Sequence, residues 1–290
     1  MFVRIRGASL YFDVEGTQLA VDPDAMREKP TLICLHGGPG LDHSTFRPDF
    51  APLGQISQVI YLDQRGHGRS DRTSPDSWNL ANWADDLACF CDTLGITNPV
   101  VLGTSFGGYV AMEYAIRHPE QPAGLILIST SARGTGSQTR RGNVLEAFAR
   151  RGGEDARRAV IRAFDERTPD AYENYGKVCG PLYNHRLLDA GALNRTIRNP
   201  EILPYFERPG GEGVEFDLTD GLAKIRARTL VIGGSDDPIT PLPEQEHIVA
   251  SMAPGLATLL RFDNCGHGVQ RDNPEGLIEV IRDFLTGQDC

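Results

Sequence analysis

Lysine is almost absent from this chain of 290 residues, where Lys29, Lys177 and Lys224 stand alone among 29 basic side chains. That preference for arginine reads as a compositional habit of the source. The missing basic excess says more, because 39 acidic residues outnumber the 29 basic ones and leave a formal charge of −10. A protein that grips phosphates needs a cationic face, so no nucleic-acid partner is expected. Cysteine is sparse and scattered (Cys34, Cys89, Cys91, Cys179, Cys265, Cys290), with no C-x-x-C spacing. Neither a disulfide framework nor a metal site is expected, and buried thiols in a reducing cytoplasm are. No uncharged apolar run approaches the roughly 18 residues of a membrane span, so no membrane partner is expected. The N-terminal Met1-Phe2-Val3-Arg4-Ile5-Arg6 alternates apolar and charged residues and lacks the apolar core of a signal peptide. Repeats and low-complexity tracts are missing as well.

What is present is a series of short valine-, leucine- and isoleucine-rich runs. Residues 2–6 and 9–15 read as two strands meeting at Gly7. Thr31–Leu35, Val59–Leu62, Pro99–Gly103 and Gly124–Ile128 are continuous apolar runs, the mark of strands buried on both faces. Leu80, Trp83, Leu87, Phe90 and Leu94 follow helical spacing, with Gly95 as the stop. Strand–helix alternation of this kind predicts an α/β fold, a mostly parallel sheet with helices on both faces. The alternation stops near Ser131, and only helical patches such as Val144–Arg150 and Asp155–Arg167 follow, punctuated by Gly152-Gly153. It resumes at Thr229–Gly233 and Ala257–Phe262 and closes with an amphipathic helix over Pro274–Leu285. The expected organisation is a core of residues 1–130 and 221–290, with residues 131–220 a helical cap inserted after the sixth strand. Thr286 to Cys290 are polar and expected to fray.

Four strand exits carry chemistry. Gly103-Thr104-Ser105-Phe106-Gly107 places one serine at the corner between a strand and a helix, with glycines where neighbouring side chains would collide. His36-Gly37-Gly38-Pro39-Gly40 follows an earlier strand and exposes main-chain N–H groups. Gly38 and Phe106 are the natural donors to an oxyanion. After the helical insertion, Asp236 and Asp237 stand at one strand exit and His267 at the next, in the order serine, acid, histidine. His267 would take the proton of Ser105, and either aspartate could orient the imidazole. His118 reads as a helix-end residue and His36 as a support for the glycine loop, while His43, His185 and His247 carry no positional signal. Asp63 to Ser70 reads as a structured loop in which Asp63 and Arg65 make internal ion pairs.

With these motifs the chain resembles the α/β-hydrolase family over nearly its whole length. His-Gly-Gly-Pro-Gly at 36–40 together with Asp-Gln-Arg-Gly-x-Gly-x-Ser at 63–70 is most similar to the proline iminopeptidases, serine peptidases that remove an N-terminal proline. The resemblance implies Asp237 as the triad acid, four residues before Pro241, with Asp236 as the fallback. It also implies that cap glutamates hold the substrate's amino group, and Glu201, Glu207, Glu212 and Glu215 lie in an acid-rich stretch suited to that. The elbow departs from the tryptophan-bearing pattern of many proline iminopeptidases, and the cap is short for the group. Three functions follow: an aminopeptidase acting on short peptides, a carboxylesterase or lactonase acting on small acyl substrates, or a ligand receptor on a hydrolase fold. None requires a cofactor.

Overall fold

A computed structural model describes residues 1–22, 25–186 and 190–287 of the chain. The apolar runs form the middle of one sheet of eight strands: β1 (Phe2–Ile5), β2 (Ala8–Glu15), β5 (Thr31–Leu35), β6 (Gln58–Leu62), β7 (Val100–Thr104), β8 (Gly124–Ile128), β9 (Arg228–Gly234) and β10 (Ala257–Phe262). A hairpin of β3 (Leu19–Asp22) and β4 (Ala25–Glu28) stands apart from it. The order is β1-β2-β6-β5-β7-β8-β9-β10. Pairing is antiparallel from β1 through β2 to β6 and parallel from there onward. This is the expected mostly parallel sheet.

Side chains alternate across it and feed two cores. Ile33, Leu35, Val101, Leu125 and Leu127 face α1 (Leu80–Leu94) and α2 (Phe106–Arg117). Leu32, Cys34, Leu102, Ile126 and Ile128 face the helix Pro274–Thr286 through Leu277, Ile281 and Phe284. Each buried Leu or Ile contributes roughly 1.5–3 kcal/mol relative to exposure, which fixes the strand register. α1 begins where the Asn79 side chain accepts from Asn82 N–H and ends at left-handed Gly95. Leu94, in its last turn, points to solvent rather than to the core.

Between β8 and β9 the chain leaves the sheet. α3 (Gln138–Glu166) and α4 (Pro169–Cys179) pack on each other, followed by the short helices Ala190–Arg195, Ile202–Phe206, Glu212–Glu215 and Thr219–Leu222. The two helical patches read from the sequence are the halves of α3, broken at Gly153 (φ 68°, ψ −160°). This insertion has its own small core, Val144, Phe148, Val160 and Cys179, against which Ile239 from the turn after β9 also packs. No helix among the described residues is long and apolar enough to cross a membrane. Cys34, Cys91, Cys179 and Cys265 are buried free thiols and Cys89 is half-buried. Cys290 lies outside the described residues, as does most of the stretch expected to fray.

The loop after β6 is tied down by ion pairs. Arg65 is buried and grips Asp86 of α1 twice, through Nε and through one terminal nitrogen, each at 2.6 Å. Arg6 adds a bond of 3.0 Å to the same carboxylate. Removing one partner strands the other charge in a low dielectric. Asp86→Ala is therefore expected to lower the unfolding free energy by about 3–5 kcal/mol, read from urea denaturation followed by circular dichroism.

Candidate active site

The site forms where strands β5 to β10 end. β7 stops at Thr104, α2 starts at Phe106, and Ser105 between them holds φ 53° and ψ −117°, a strained corner for a residue with a side chain. Its main chain is pinned on both sides. Ser105 N–H donates to Ile128 O at 2.9 Å, and Ser105 O accepts from Gly108 N–H at 2.9 Å and Thr130 Oγ1 at 2.8 Å. Gly103 and Gly107 allow the corner: a Cβ on Gly107 would come within 2.1 Å of Leu35 O, and one on Gly103 within 2.3 Å of Gly107 O. The Ser105 hydroxyl is thus held clear of the chain.

His267, in the loop after β10, meets it. Its Nε2 lies 3.1 Å from Ser105 Oγ, and its Nδ1 lies 2.9 and 3.1 Å from the two carboxylate oxygens of Asp237. Nδ1–H donating to Asp237 leaves Nε2 to accept from the serine, the tautomer a general base needs. The Asp237 carboxylate is buried and also accepts from Ile239 N–H, Thr240 N–H and Thr240 Oγ1 at 2.8, 3.0 and 2.8 Å. Asp236 turns the other way, its Oδ2 2.8 Å from His185 Nε2 and 3.9 Å from Arg151. Among the described residues Asp237 reaches His267 and Asp236 does not.

The glycine loop comes up beside the serine. A Cβ on Gly37 would sit 3.4 Å from Ser105 Cβ, and Gly38 follows with φ 129°. Among the described residues, neither Gly38 N–H nor Phe106 N–H donates to a protein acceptor. Phe106 N–H also opens α2, where the helix dipole favours negative charge. The Phe106 ring fixes that corner from below, boxed by Trp83, His67 and Phe206 at centroid distances of 5.0, 5.5 and 5.6 Å.

The four glutamates of the insertion are dispersed. Glu207 accepts from Thr135 Oγ1 at 2.6 Å and lies 3.4 Å from Arg167. Glu212 accepts from Leu80 N–H at 2.7 Å and so caps α1, and burial pushes its carboxyl above the ordinary value. Glu201 and Glu215 are exposed. Among the described residues no hydrogen bond joins any of the four to Ser105 or His267. His43 and His185 carry no positional signal in the sequence. His43 proves to be the buried partner of Asp63, at 2.7 Å, and His185 the partner of Asp236. His36 supports the glycine loop as expected, with Nδ1–H donating to Gly37 O at 2.9 Å. His118 ends α2 and reaches Asp85 at 2.9 Å.

Two outcomes test this geometry. Ser105→Gly accepts the left-handed corner without strain and is expected to raise the unfolding free energy by about 1 kcal/mol while abolishing turnover. Calorimetry beside an activity assay checks both halves. Burial holds the His36 imidazole below its usual pKa and His67 well below it, so both favour the neutral form in the folded state. The unfolded chain takes up those protons near the ordinary histidine value of about 6.5, so stability is lost as pH falls below that point. His67→Phe should remove up to about 1.4 kcal/mol per pH unit from the slope between roughly pH 6.5 and 5, measured by urea titration at stepped pH. The variant leaves Arg65 O satisfied, because Trp83 Nε1 also donates to it at 3.0 Å.

Known proteins share this arrangement of elements. A family model described as the alpha/beta hydrolase fold matches residues 30–274. Proline iminopeptidase PfmaB of Pestalotiopsis fici is 29% identical over 288 residues, covering 95% of this chain and 98% of its own. A 2-hydroxymuconate semialdehyde hydrolase of Pseudomonas putida is 29% identical over 281 residues, covering 90% and 88%. The crystal structure of proline iminopeptidase from Mycobacterium smegmatis superposes with a TM-score of 0.79 at 23% identity, over 99% of this chain and 98% of that one. The chain belongs to the alpha/beta hydrolase fold family and is a hydrolytic enzyme.

Proposed function

We propose that this enzyme is a serine hydrolase that works through an acyl-enzyme, with Ser105 as nucleophile, His267 as general base and acid, and Asp237 as the orienting carboxylate. The observation that carries the reading is the unbroken line from Ser105 Oγ through His267 (3.1 Å) to Asp237 (2.9 Å). Oγ attacks the acyl carbon as Nε2 takes its proton. The resulting oxyanion is received by Gly38 N–H and Phe106 N–H, and the imidazolium then protonates the leaving group. Water activated by the same imidazole frees the acid. Residues 131–220 act as the cap over a core of 1–130 and 221–290, and the buried reduced thiols favour a cytoplasmic setting.

For the substrate, the iminopeptidase names among the relatives support release of N-terminal proline or a similar small residue from a short peptide. A second reading, hydrolysis of small uncharged esters or lactones, is favoured by the engagement of Glu207 with Arg167 and of Glu212 with the end of α1. Of the four glutamates, those bonds leave Glu201 and Glu215 exposed and without a side-chain partner among the described residues, able to meet an ammonium group. Proline p-nitroanilide and p-nitrophenyl butyrate, assayed side by side, separate the two. Turnover of the amide, lost on N-acetylation and lowered at least about a thousandfold in Ser105→Ala, is the expected result. Ester turnover with no amide turnover moves the assignment to the second reading. Turnover that Ser105→Ala leaves untouched overturns both.

A further inference from the structure

The three main-chain N–H groups around the proposed base are all accounted for, and none is held by the sheet. Gly266 N–H donates to Asp272 Oδ2 at 2.8 Å, His267 N–H to Tyr183 O at 2.8 Å, and Gly268 N–H to Asn184 Oδ1 at 2.6 Å. Tyr183 and Asn184 belong to the insertion, more than eighty positions away along the chain. Asp272 closes the circuit. It sits in the single turn after the histidine loop, is buried, and accepts from His185 N–H at 3.1 Å and Arg186 N–H at 2.8 Å as well as from Gly266. Tyr183 lies against the imidazole, with centroids 6.1 Å apart, and its hydroxyl donates to Tyr175 of α4 at 2.8 Å. Gly266 lets the segment approach, since a Cβ there would come within 2.0 Å of Tyr183 O.

We propose that Asp272 is a positioning residue for His267. Its carboxylate fastens residues 183–186 of the insertion to the histidine loop, making that segment a fixed wall of the base's socket rather than part of any movable cap. A carboxylate is the side chain suited to the place, since it brings acceptors alone to a cluster of N–H donors. An amide of the same shape turns one donor toward them. A shift of about 1 Å in a reacting group is enough to cost on the order of a hundredfold in rate, whereas substrate affinity depends on other contacts.

The inference rests on His267 serving as the base at Ser105, and the experiment keeps the two apart. Asp272→Asn and, as a milder cut at a separate bond, Asn184→Ala are compared with the parent enzyme. Folded, active-site-titrated protein is assayed on whichever substrate the parent turns over, and its rate of phosphonylation by a fluorophosphonate probe is measured. Hydrogen exchange is followed at residues 183–186 and 266–268. Asp272→Asn is expected to lower kcat and the phosphonylation rate at least tenfold with KM within twofold. Both segments should lose exchange protection together. Asn184→Ala should move the same quantities in the same direction by a smaller factor, and it decides the matter if Asp272→Asn does not fold. Unchanged kcat per titrated site in the folded variants, or loss of protection at 266–268 with 183–186 unaffected, overturns the proposal. A parent enzyme that does not react with the probe removes the reading of His267 as base. The coupled exchange of the two segments then still decides whether Asp272 fastens them.

Discussion

The loops at the sheet's C-terminal edge have no ladder of their own, and buried carboxylates supply the acceptors that the ladder would have provided. Asp42 accepts from Ser44 N–H and Ile197 N–H, and Asp63 from His43 N–H and Arg69 N–H. Asp237 gathers the turn after β9, and Asp272 gathers the loop after β10. Each is 9% exposed or less, so its bonds to N–H groups are made in a low dielectric, where a charge-assisted bond is strongest and an unmet one most costly. Each therefore specifies one loop conformation. The glycine loop, the acid and the histidine all stand on backbone that such a carboxylate has shaped.

Against that framework the strain at Ser105 is sustainable. A residue in that region of φ and ψ costs on the order of 1–3 kcal/mol, and it persists only when its surroundings over-determine it. Here the sheet holds its N–H, two donors hold its carbonyl, and the aromatic box beneath Phe106 stops the helix from sliding. His36 and His67 contribute by remaining uncharged: in so buried a position a second or third cation would oppose the hydrogen bonds that define the loop.

The central sheet was legible because β5 to β8 are buried on both faces, and such strands can only be apolar runs. β3 and β4 were not legible for the opposite reason. Val21 and Met26 face solvent, so no core pattern marks them as strands. The serine, the histidine and their order along the chain showed in the glycine punctuation. The choice between Asp236 and Asp237 did not come from composition, because neighbouring carboxylates are chemically alike until a turn points them apart. The acid-rich stretch at 201–220 suggested an ammonium pocket. What Glu212 does depends on Leu80, distant in sequence, and no local pattern encodes that. His43 was silent on the same grounds, its partner Asp63 lying on the next strand exit.

The insertion is stapled to the rest of the chain at more than one loop of the candidate site. Besides the bonds at 183–186, Asn199 N–H donates to Gly40 O at 2.8 Å and Asn199 Nδ2 to Gly66 O at 2.9 Å. The insertion and the sheet are therefore not interchangeable parts. A chimera that imports residues 131–220 from a relative to change substrate preference would also import foreign footings for the glycine loop and the histidine loop. The natural unit of exchange is wider: the insertion together with residues 36–42, 63–72 and 264–273, which have to be recombined as one block if the graft is to inherit the geometry of the candidate site.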